Sequence, residues 1–143
     1  MVRPEVLLTY AQSLDGSIAG PDRRPLLLSG KESMRWTHTL RSQHDAILIG
    51  VGTLIADDPL LSVRYVEGDH PQPVVLDSRL RFPEQARLWQ HPSHRPWIVT
   101  TPSACAAAQR RLEDAGARVI RVILQCLRGG SVQCGAVLLK ASR

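Results

Sequence analysis

The sequence predicts an α/β fold built around a mostly parallel sheet. Short apolar runs typical of buried strands alternate along the chain with longer segments of helical periodicity. This alternation is typical of domains in which helices cover a parallel sheet. The length of 143 residues fits one domain, so residues 1–143 are taken as a single unit.

Three strands and one helix are predicted in the first half of the chain. Residues 6–11 and 17–19 form short strands separated by a glycine-containing turn. Residues 31–43 form a helix, because residues there recur at helical spacing. Residues 45–50 are the clearest strand, since an uninterrupted apolar run ends at a glycine.

The second half continues the alternation. Residues 74–76 and 97–101 are short apolar strands, and residues 104–115 form an alanine-rich helix that Gly116 closes. A further strand follows at residues 118–123. In open sheets of this kind ligands bind beyond the carboxyl ends of the strands, so a site is expected where these and the earlier strands end.

The positive charge of the chain is unevenly distributed. The formal net charge is +5, but residues 1–78 carry 7 Lys/Arg and 10 Asp/Glu, whereas residues 79–143 carry 11 and 3. The arginines of the basic half are scattered, and aromatic residues make up only 4% of the chain. A solvated surface with no nucleic-acid partner is therefore expected, and a basic nucleic-acid-binding module is kept as an alternative.

The composition also indicates whether to expect a metal site, a membrane span or a secreted protein. The three cysteines, at positions 105, 126 and 134, lack paired spacing, so reduced thiols and no metal site are expected. No apolar run approaches the roughly 18 residues that span a bilayer, and the first residues lack the features of a signal peptide. We therefore expect a cytoplasmic protein with no membrane partner.

Residues 50–59, GVGTLIADDP, form the most distinctive local pattern. Two glycines allow a tight turn and close approach of a ligand, and Thr53 is expected to cap a short helix that ends at Pro59. Thr53 and Asp57 are four residues apart and share a helix face. Asp57 then suits a neutral donor group of a ligand. An ordinary helix cap with solvated aspartates is the favoured interpretation of this stretch taken alone.

Two arginines flank the pattern. Arg41 lies near the end of the predicted helix, and Arg64 ends residues 59–64, which are expected to be extended. In an extended segment Leu61 faces away from Ser62 and Arg64. Arginines near strand ends suit bidentate binding of a phosphate. A helix-terminal cation and a surface charge remain open as the alternative.

The histidines are interpreted as structural. His38 and His44 flank a helix end, where interaction with the helix dipole is a sufficient explanation. His91 and His94 lie in a proline-containing segment without a nearby carboxylate or cysteine, so a solvated loop is favoured over a metal site. The chain also lacks the GxSxG and GxGxxG patterns of hydrolases and dinucleotide-binding Rossmann folds.

Several segments occur together in one known family. In chain order they are SLDGSIAG at residues 13–20, SGKESMRWTHTLRSQHDAILIGVGTLIADDPLLSVR at residues 29–64 and PVVLDSRLR at residues 73–81. Together they resemble the bacterial riboflavin-biosynthesis reductase domain, the C-terminal half of RibD. The resemblance covers about residues 6–101. It implies a dihydrofolate-reductase-like fold, a three-layer sandwich around a mostly parallel central sheet.

The resemblance implies an enzyme that uses NADPH to reduce a ribosylamino-pyrimidine 5′-phosphate to its ribitylamino form. Hydride would pass to the sugar C1 after the ring opens to an imine. By motif position, cofactor contacts are implied for Ala11, Thr53, Asp57 and Ser78. Substrate contacts are implied for Arg41, Leu61 and Arg64, and no catalytic residue is assigned.

The end of the chain departs from the family pattern. Family members carry a glutamate-glycine-glycine turn that binds phosphates, whereas Gly129-Gly130 here follows Arg128. Residues 116–143 are therefore taken as a divergent end. A truncated or frame-shifted end that lacks terminal strands of the sheet is one interpretation, and a variant of one lineage is the alternative. Loss of those strands would expose a sheet edge, so a homodimer is expected. A catalytically incompetent binding remnant and a folate- or pteridine-type reductase are the alternatives.

Overall fold

The computed structural model describes residues 5–11, 14, 30–123 and 136–140. In chain order the elements are β1 (Glu5–Thr9), α1 (Lys31–Ser42), β2 (Ala46–Gly50), α2 (Val51–Asp57), β3 (Gln72–Leu76), a 3-10 turn (Arg87–Gln90), β4 (Trp97–Thr100), α3 (Ala106–Asp114), β5 (Arg118–Arg121) and β6 (Ala136–Lys140). The predicted strand at residues 17–19 and the Gly129-Gly130 pair lie outside the described residues.

The six strands form one mostly parallel sheet in the order β1-β6-β2-β3-β4-β5. Strands β2 to β5 run parallel to one another, which confirms the predicted α/β class. Strand β6 is antiparallel to both β1 and β2. Helices α2 and α3 lie in the crossovers from β2 to β3 and from β4 to β5, and the 3-10 turn lies in the crossover from β3 to β4.

Strand β6 corrects the expectation that terminal strands are missing. It comes from the end of the chain yet lies between β1 and β2, where Leu138 pairs with Leu7 on one side and Ile47 on the other. Leu138 is fully buried. The five-residue run AVLLK has four apolar residues before a lysine and is long enough for a strand, even though it lacks a family motif.

The core lies between the sheet and its helices. Alternate residues of the central strands point into it, including Ile47 and Ile49 of β2 and Ile98 of β4. Leu54 of α2 and Leu112 of α3 pack against them. Each such side chain contributes about 1.5–3 kcal/mol through burial. This packing fixes the strand ends from which the polar loops leave. No helix among the described residues is long and apolar enough to cross a membrane.

The segment before β4 is more ordered than predicted. His91 is only 8% exposed, and its Nδ1 accepts the backbone N–H of His94 at 3.1 Å. Burial, followed by the neighbouring His70 and His94, lowers the pKa of His91 to about 4. The prediction of a solvated histidine loop is therefore wrong for His91, because its ring caps the backbone of its own turn.

Candidate functional site

The carboxyl ends of several strands meet at one edge of the sheet, called here the carboxyl edge. Strands β2, β3 and β4 are parallel, and β1 runs the same way because β1 and β2 are both antiparallel to β6. Residues 10–11, 51–57 and 77–78 therefore leave the sheet on the same side. Ligands bind at this side in open α/β sheets.

A cavity of about 290 Å³ opens at the carboxyl edge. Its walls come from the end of β1, one face of α1, and the chain from the end of β2 to Leu61. Five of the seven residues predicted to contact ligands line it: Ala11, Arg41, Thr53, Asp57 and Leu61. The structure thus brings together residues that the sequence separates by up to 50 positions.

One face of α1 adds lining residues that sequence reasoning missed. Ser33 and Thr37 precede Arg41 at intervals of four, so all three lie on one face and line the cavity. The Thr37 hydroxyl donates to the Ser33 carbonyl at 3.0 Å, which leaves its oxygen able to accept a bond. The sequence does contain a signal for these two residues, because Ser33 and Thr37 are polar and precede the candidate Arg41 at helical spacing.

Arg41 is the cation of this cavity. Its Nε is buried and has no hydrogen-bond partner among the described residues. Burial, and then the charge of Arg64, lower the pKa of the guanidinium. The ion pairs formed within the described residues, Arg81–Asp77 and Arg111–Glu84, involve neither Arg41 nor Arg64. Two neighbouring arginines and a buried, unpaired N–H form an environment that favours an anion.

Arg64 is held near Arg41 through its backbone. Its N–H donates to Nδ1 of His38 at 3.1 Å, while the residue itself is exposed and does not line the cavity. The His38 ring is fully buried and meets Tyr65 edge-on, with centroids 4.7 Å apart. Burial, then Arg41 and Arg64, lower the pKa of His38 to about 4. Its interpretation as a helix-end cation is therefore wrong.

Residues 59–64 do not form the predicted extended segment. Leu61 has a left-handed backbone with φ 58°, which is uncommon for a residue other than glycine. Leu61, Ser62 and Val63 are buried in succession, so the expected alternation of faces is lost. The turn at Leu61 directs the residue to the cavity lining while Arg64 remains exposed.

Helix α2 brings Thr53 and Asp57 to the cavity. It begins directly after β2 with Gly50 as N-cap and no side-chain cap, so the prediction that Thr53 caps it is wrong. Thr53 is the third helical residue, and it lines the cavity one turn before Asp57. Asp58 is not simply solvated either, because its Oδ1 accepts the backbone N–H of Arg87 at 2.8 Å.

Ser78 lies outside the cavity lining. It is exposed just beyond β3, and its carbonyl accepts the hydroxyl of Thr101 at 3.2 Å. The preceding Asp77 is 1% exposed, and its Oδ2 has no hydrogen-bond partner within the described part of the chain. A buried oxygen of this kind is costly unless something satisfies it. The end of β3 is thus a second polar point on the carboxyl edge.

The opposite edge of the sheet, called here the amino edge, has a larger cavity of about 810 Å³. Its lining includes His44, Asp45, His70, His94 and Lys140. His70 accepts the backbone N–H of Val63 at 3.0 Å, and Nε2 of His94 lies 3.0 Å from the His70 carbonyl oxygen. Among the described residues no group of three or more His, Cys, Asp or Glu side chains is arranged to hold a metal ion.

Comparison with known proteins assigns the family. The RibD C-terminal domain family matches residues 4–141, almost the whole chain. The chain belongs to this family. The match continues beyond residue 101, where the quoted motifs end, and includes β6. The RibD C-terminal domain thus includes the end that was expected to diverge.

Two relatives are reductases by name. The 2,5-diamino-6-ribosylamino-4(3H)-pyrimidinone 5′-phosphate reductase of Archaeoglobus fulgidus is 42% identical over 97 residues, which are 61% of this chain and 44% of that protein. The reductase of the same name from Methanothermobacter thermautotrophicus is 37% identical over 134 residues, 88% of this chain and 61% of that protein. The chain therefore spans less than two thirds of either relative.

Solved structures support the fold. RibD of Acinetobacter baumannii gives a TM-score of 0.66 at 25% identity, over 80% of this chain and 32% of that one. The riboflavin biosynthesis reductase Rib7 of Saccharomyces cerevisiae gives 0.58 at 26% identity, over 78% and 45% of the two chains. The dihydrofolate-reductase-like α/β class implied by the motifs is thereby confirmed.

Proposed function

We propose that this RibD C-terminal domain reduces a ribosylamino-pyrimidine 5′-phosphate to its ribitylamino form, with NADPH as the cofactor. The observation that carries the proposal is the pair Arg41 and Arg64 at the carboxyl edge, where a buried Nε lacks a partner among the described residues. The names of the two reductases from Archaeoglobus and Methanothermobacter agree with this activity.

The phosphate is the group that the arginine pair recognises. Arg41 lines the cavity and Arg64 lies close enough to lower its pKa. An anion placed between them relieves their mutual repulsion and accepts charge-assisted hydrogen bonds. A guanidinium fork also fixes the direction of a phosphate, which a single lysine does not. The phosphate would therefore orient the sugar toward the cavity.

The remaining lining suits a nicotinamide and a pyrimidine. A volume of about 290 Å³ is at the lower end of ligand pockets, so the cavity encloses the reacting rings rather than two whole ligands. Thr53 and Asp57 offer polar atoms on one helix face, and Asp57 suits a neutral donor such as an amide or a hydroxyl. Ala11 and Leu61 provide small and apolar contacts, and Ser78 lies beyond them at the end of β3.

The reaction requires little acid–base chemistry from the protein. Bound NADPH would supply a hydride, two electrons with one proton, to C1 of the ring-opened ribosyl imine, and a proton from solvent would complete the amine nitrogen. Arg41 and Arg64 bind the phosphate and thereby orient the substrate. The apolar contacts of Ala11 and Leu61 keep water away from C1. No catalytic acid is assigned.

The arginine pair provides the test. Arg64→Ala should raise KM for the phosphorylated pyrimidine about 30-fold, because one charge-assisted contact is lost, and leave the Kd of NADPH within about twofold. Equal losses for both ligands would contradict the assignment of Arg64 to the phosphate.

NADPH binding without oxidation would indicate the incompetent remnant, and preferential turnover of a folate or pteridine would indicate the related reductase class. Tight, salt-dependent nucleic-acid binding instead would indicate the basic module.

We also propose that the chain acts in the cytoplasm as a homodimer. The motivation for the dimer is β1, an edge strand of the described sheet, because Val6 and Leu8 on this strand and Tyr10 directly after it are all more than half exposed. Apolar residues at alternate positions of a strand share one face, and such a face favours association. Sedimentation of Leu8→Glu against the native chain tests this, since a monomer in both cases would contradict the dimer.

A further inference from the structure

His38 is a fully buried histidine with one used and one unused nitrogen. It lies three residues before Arg41 on α1 and accepts the Arg64 N–H at Nδ1, 3.1 Å away. Because Nδ1 accepts, the ring proton must be on Nε2. Nε2 is buried and has no hydrogen-bond partner among the described residues. An apolar side chain here would avoid the unsatisfied ring N–H but would leave the backbone N–H of Arg64 without its acceptor.

We propose that His38 is a positioning residue, whose neutral Nδ1 fixes the backbone of Arg64 beside Arg41 and so sets the spacing of the anion site. The inference rests on the proposed function for the identity of the anion, and its geometry is independent of it. His38 itself does not line the cavity. It acts through Arg64.

A second imidazole supports the same segment from another direction. The N–H of Val63 donates to Nδ1 of His70 at 3.0 Å, so two consecutive backbone N–H groups bind two different rings. His38 comes from α1 and His70 from the loop before β3. The turn at Leu61, with its left-handed backbone, thus leads into a stretch that is held from both sides.

The charges around His38 make its neutral state essential. Arg41 faces it from its own helix, and Arg64 and Tyr65 face it from the following segment, as far as the described residues show. A proton on Nδ1 would remove the acceptor and place a third positive charge beside two arginines. Protonation should therefore release the Arg64 backbone and weaken anion binding at low pH.

Two substitutions separate positioning from packing. His38→Leu keeps a buried side chain but removes the acceptor, whereas His38→Asn keeps an oxygen close to the position of Nδ1. We expect His38→Leu to raise KM for the phosphorylated substrate about 10-fold, with kcat and the Kd of NADPH within about threefold. His38→Asn should restore most of the affinity. Equal defects in the two variants would overturn the proposal.

His91→Leu is the matched control. His91 is also buried, accepts a backbone N–H at Nδ1 and has its pKa lowered to about 4, but it does not line the carboxyl-edge cavity. This variant should lower the melting temperature and leave KM for the phosphorylated substrate unchanged. A rise in KM similar to that of His38→Leu would show that general destabilisation explains both, and would overturn the proposal.

A direct measurement works even for a chain without turnover. Nitrogen NMR of the imidazoles should show His38 as the Nε2–H tautomer, neutral from pH 8 to about 5. The affinity for inorganic phosphate, measured by titration, should be about 10-fold lower in His38→Leu than in the native chain. The Nδ1–H tautomer, or equal phosphate affinity, would refute the positioning role. Absence of NADPH oxidation with these results intact would refute only the proposed function.

Discussion

The two edges of the sheet differ in a way that cavity size does not reveal. The amino edge has the larger space, about 810 Å³ against about 290 Å³ at the carboxyl edge. At the amino edge the ring nitrogens of His70 and His94 contact backbone groups, and His44 has one ring nitrogen, Nδ1, 2.6 Å from the Leu40 carbonyl oxygen and a buried Nε2 without a partner among the described residues. At the carboxyl edge the buried N–H without a partner in the described part of the chain belongs to the guanidinium of Arg41, which has Arg64 as a second cation nearby.

The difference teaches that a buried cation without a partner, beside a second cation, indicates a binding site better than volume does. Leaving a buried charged donor without a partner costs more free energy than leaving a neutral one. Parallel strands also direct their loops, and hence their functional side chains, to the carboxyl edge. We therefore propose that ligands bind in the smaller cavity and that the amino edge has a structural role.

Arg41→Ala is the strongest test of this assignment. Loss of the guanidinium should raise KM for the phosphorylated substrate about 100-fold, about 2.7 kcal/mol, because both the hydrogen bonds and the charge of the buried arginine are lost. The matched change at the amino edge is Lys140→Ala, in a residue that lines the larger cavity. Steady-state kinetics should show no change in KM for that variant. A comparable loss from Lys140→Ala would reverse the assignment of the two edges.

Acidification tests the buried histidines of both edges together. The pKa values of His38 and His91 are lowered to about 4 from 6.5 by burial first. The unfolded chain therefore binds protons that the folded chain does not, and stability is lost as pH falls from 6.5 toward 4. Each ring should cost about 2 kcal/mol of unfolding free energy by pH 5. Urea unfolding at pH 8 and pH 5 measures this, and an unchanged midpoint would contradict the neutral buried state.

A glycine near the amino edge gives a purely structural contrast. Gly68 has φ 144°, and a Cβ at this position would lie 2.6 Å from Cβ of Ser42 on α1. Gly68→Ala should therefore destabilise the fold by about 2 kcal/mol, because the loop at residue 68 or helix α1 would have to shift to relieve the contact. Thermal unfolding should show the loss, while the KM of the folded enzyme stays within about twofold. An unchanged melting temperature would mean that this loop does not pack on α1.

The sequence predicted the strands and helices well because their signals are local. The ends of most predicted elements in the described part agree with the structure to within two residues, but α2 begins three residues earlier than a Thr53 cap implies and residues 59–64 form no strand. Strand β6 was missed because its place between β1 and β2 depends on long-range pairing, which its four apolar residues do not reveal. The left-handed turn at Leu61 was missed for a related reason, since buried neighbours such as Val63 override the local preference for extended backbone.

The site was partly predictable. Family motifs identified five residues that the fold brings to one cavity, but they gave no sign that His38 holds Arg64. A histidine on a helix has the same appearance in sequence whether it is solvated or buried. Only the packing of residues 61–65 against α1, which removes His38 from water, distinguishes the two.

The smallest effect separates the cofactor from the substrate within the carboxyl edge. Asp57→Asn keeps the shape of the side chain but removes its charge, and Asp57 lines the cavity on the α2 face that also carries Thr53. Since an anionic acceptor binds a neutral donor more strongly than an amide oxygen does, the Kd of NADPH should rise about 10-fold, about 1.4 kcal/mol. Fluorescence titration with NADPH measures this, and Asp45→Asn at the amino edge is the matched control. If Asp57→Asn weakens binding of the phosphorylated substrate and leaves the Kd of NADPH unchanged, then α2 contacts the substrate and the assignment of Asp57 to the cofactor is wrong.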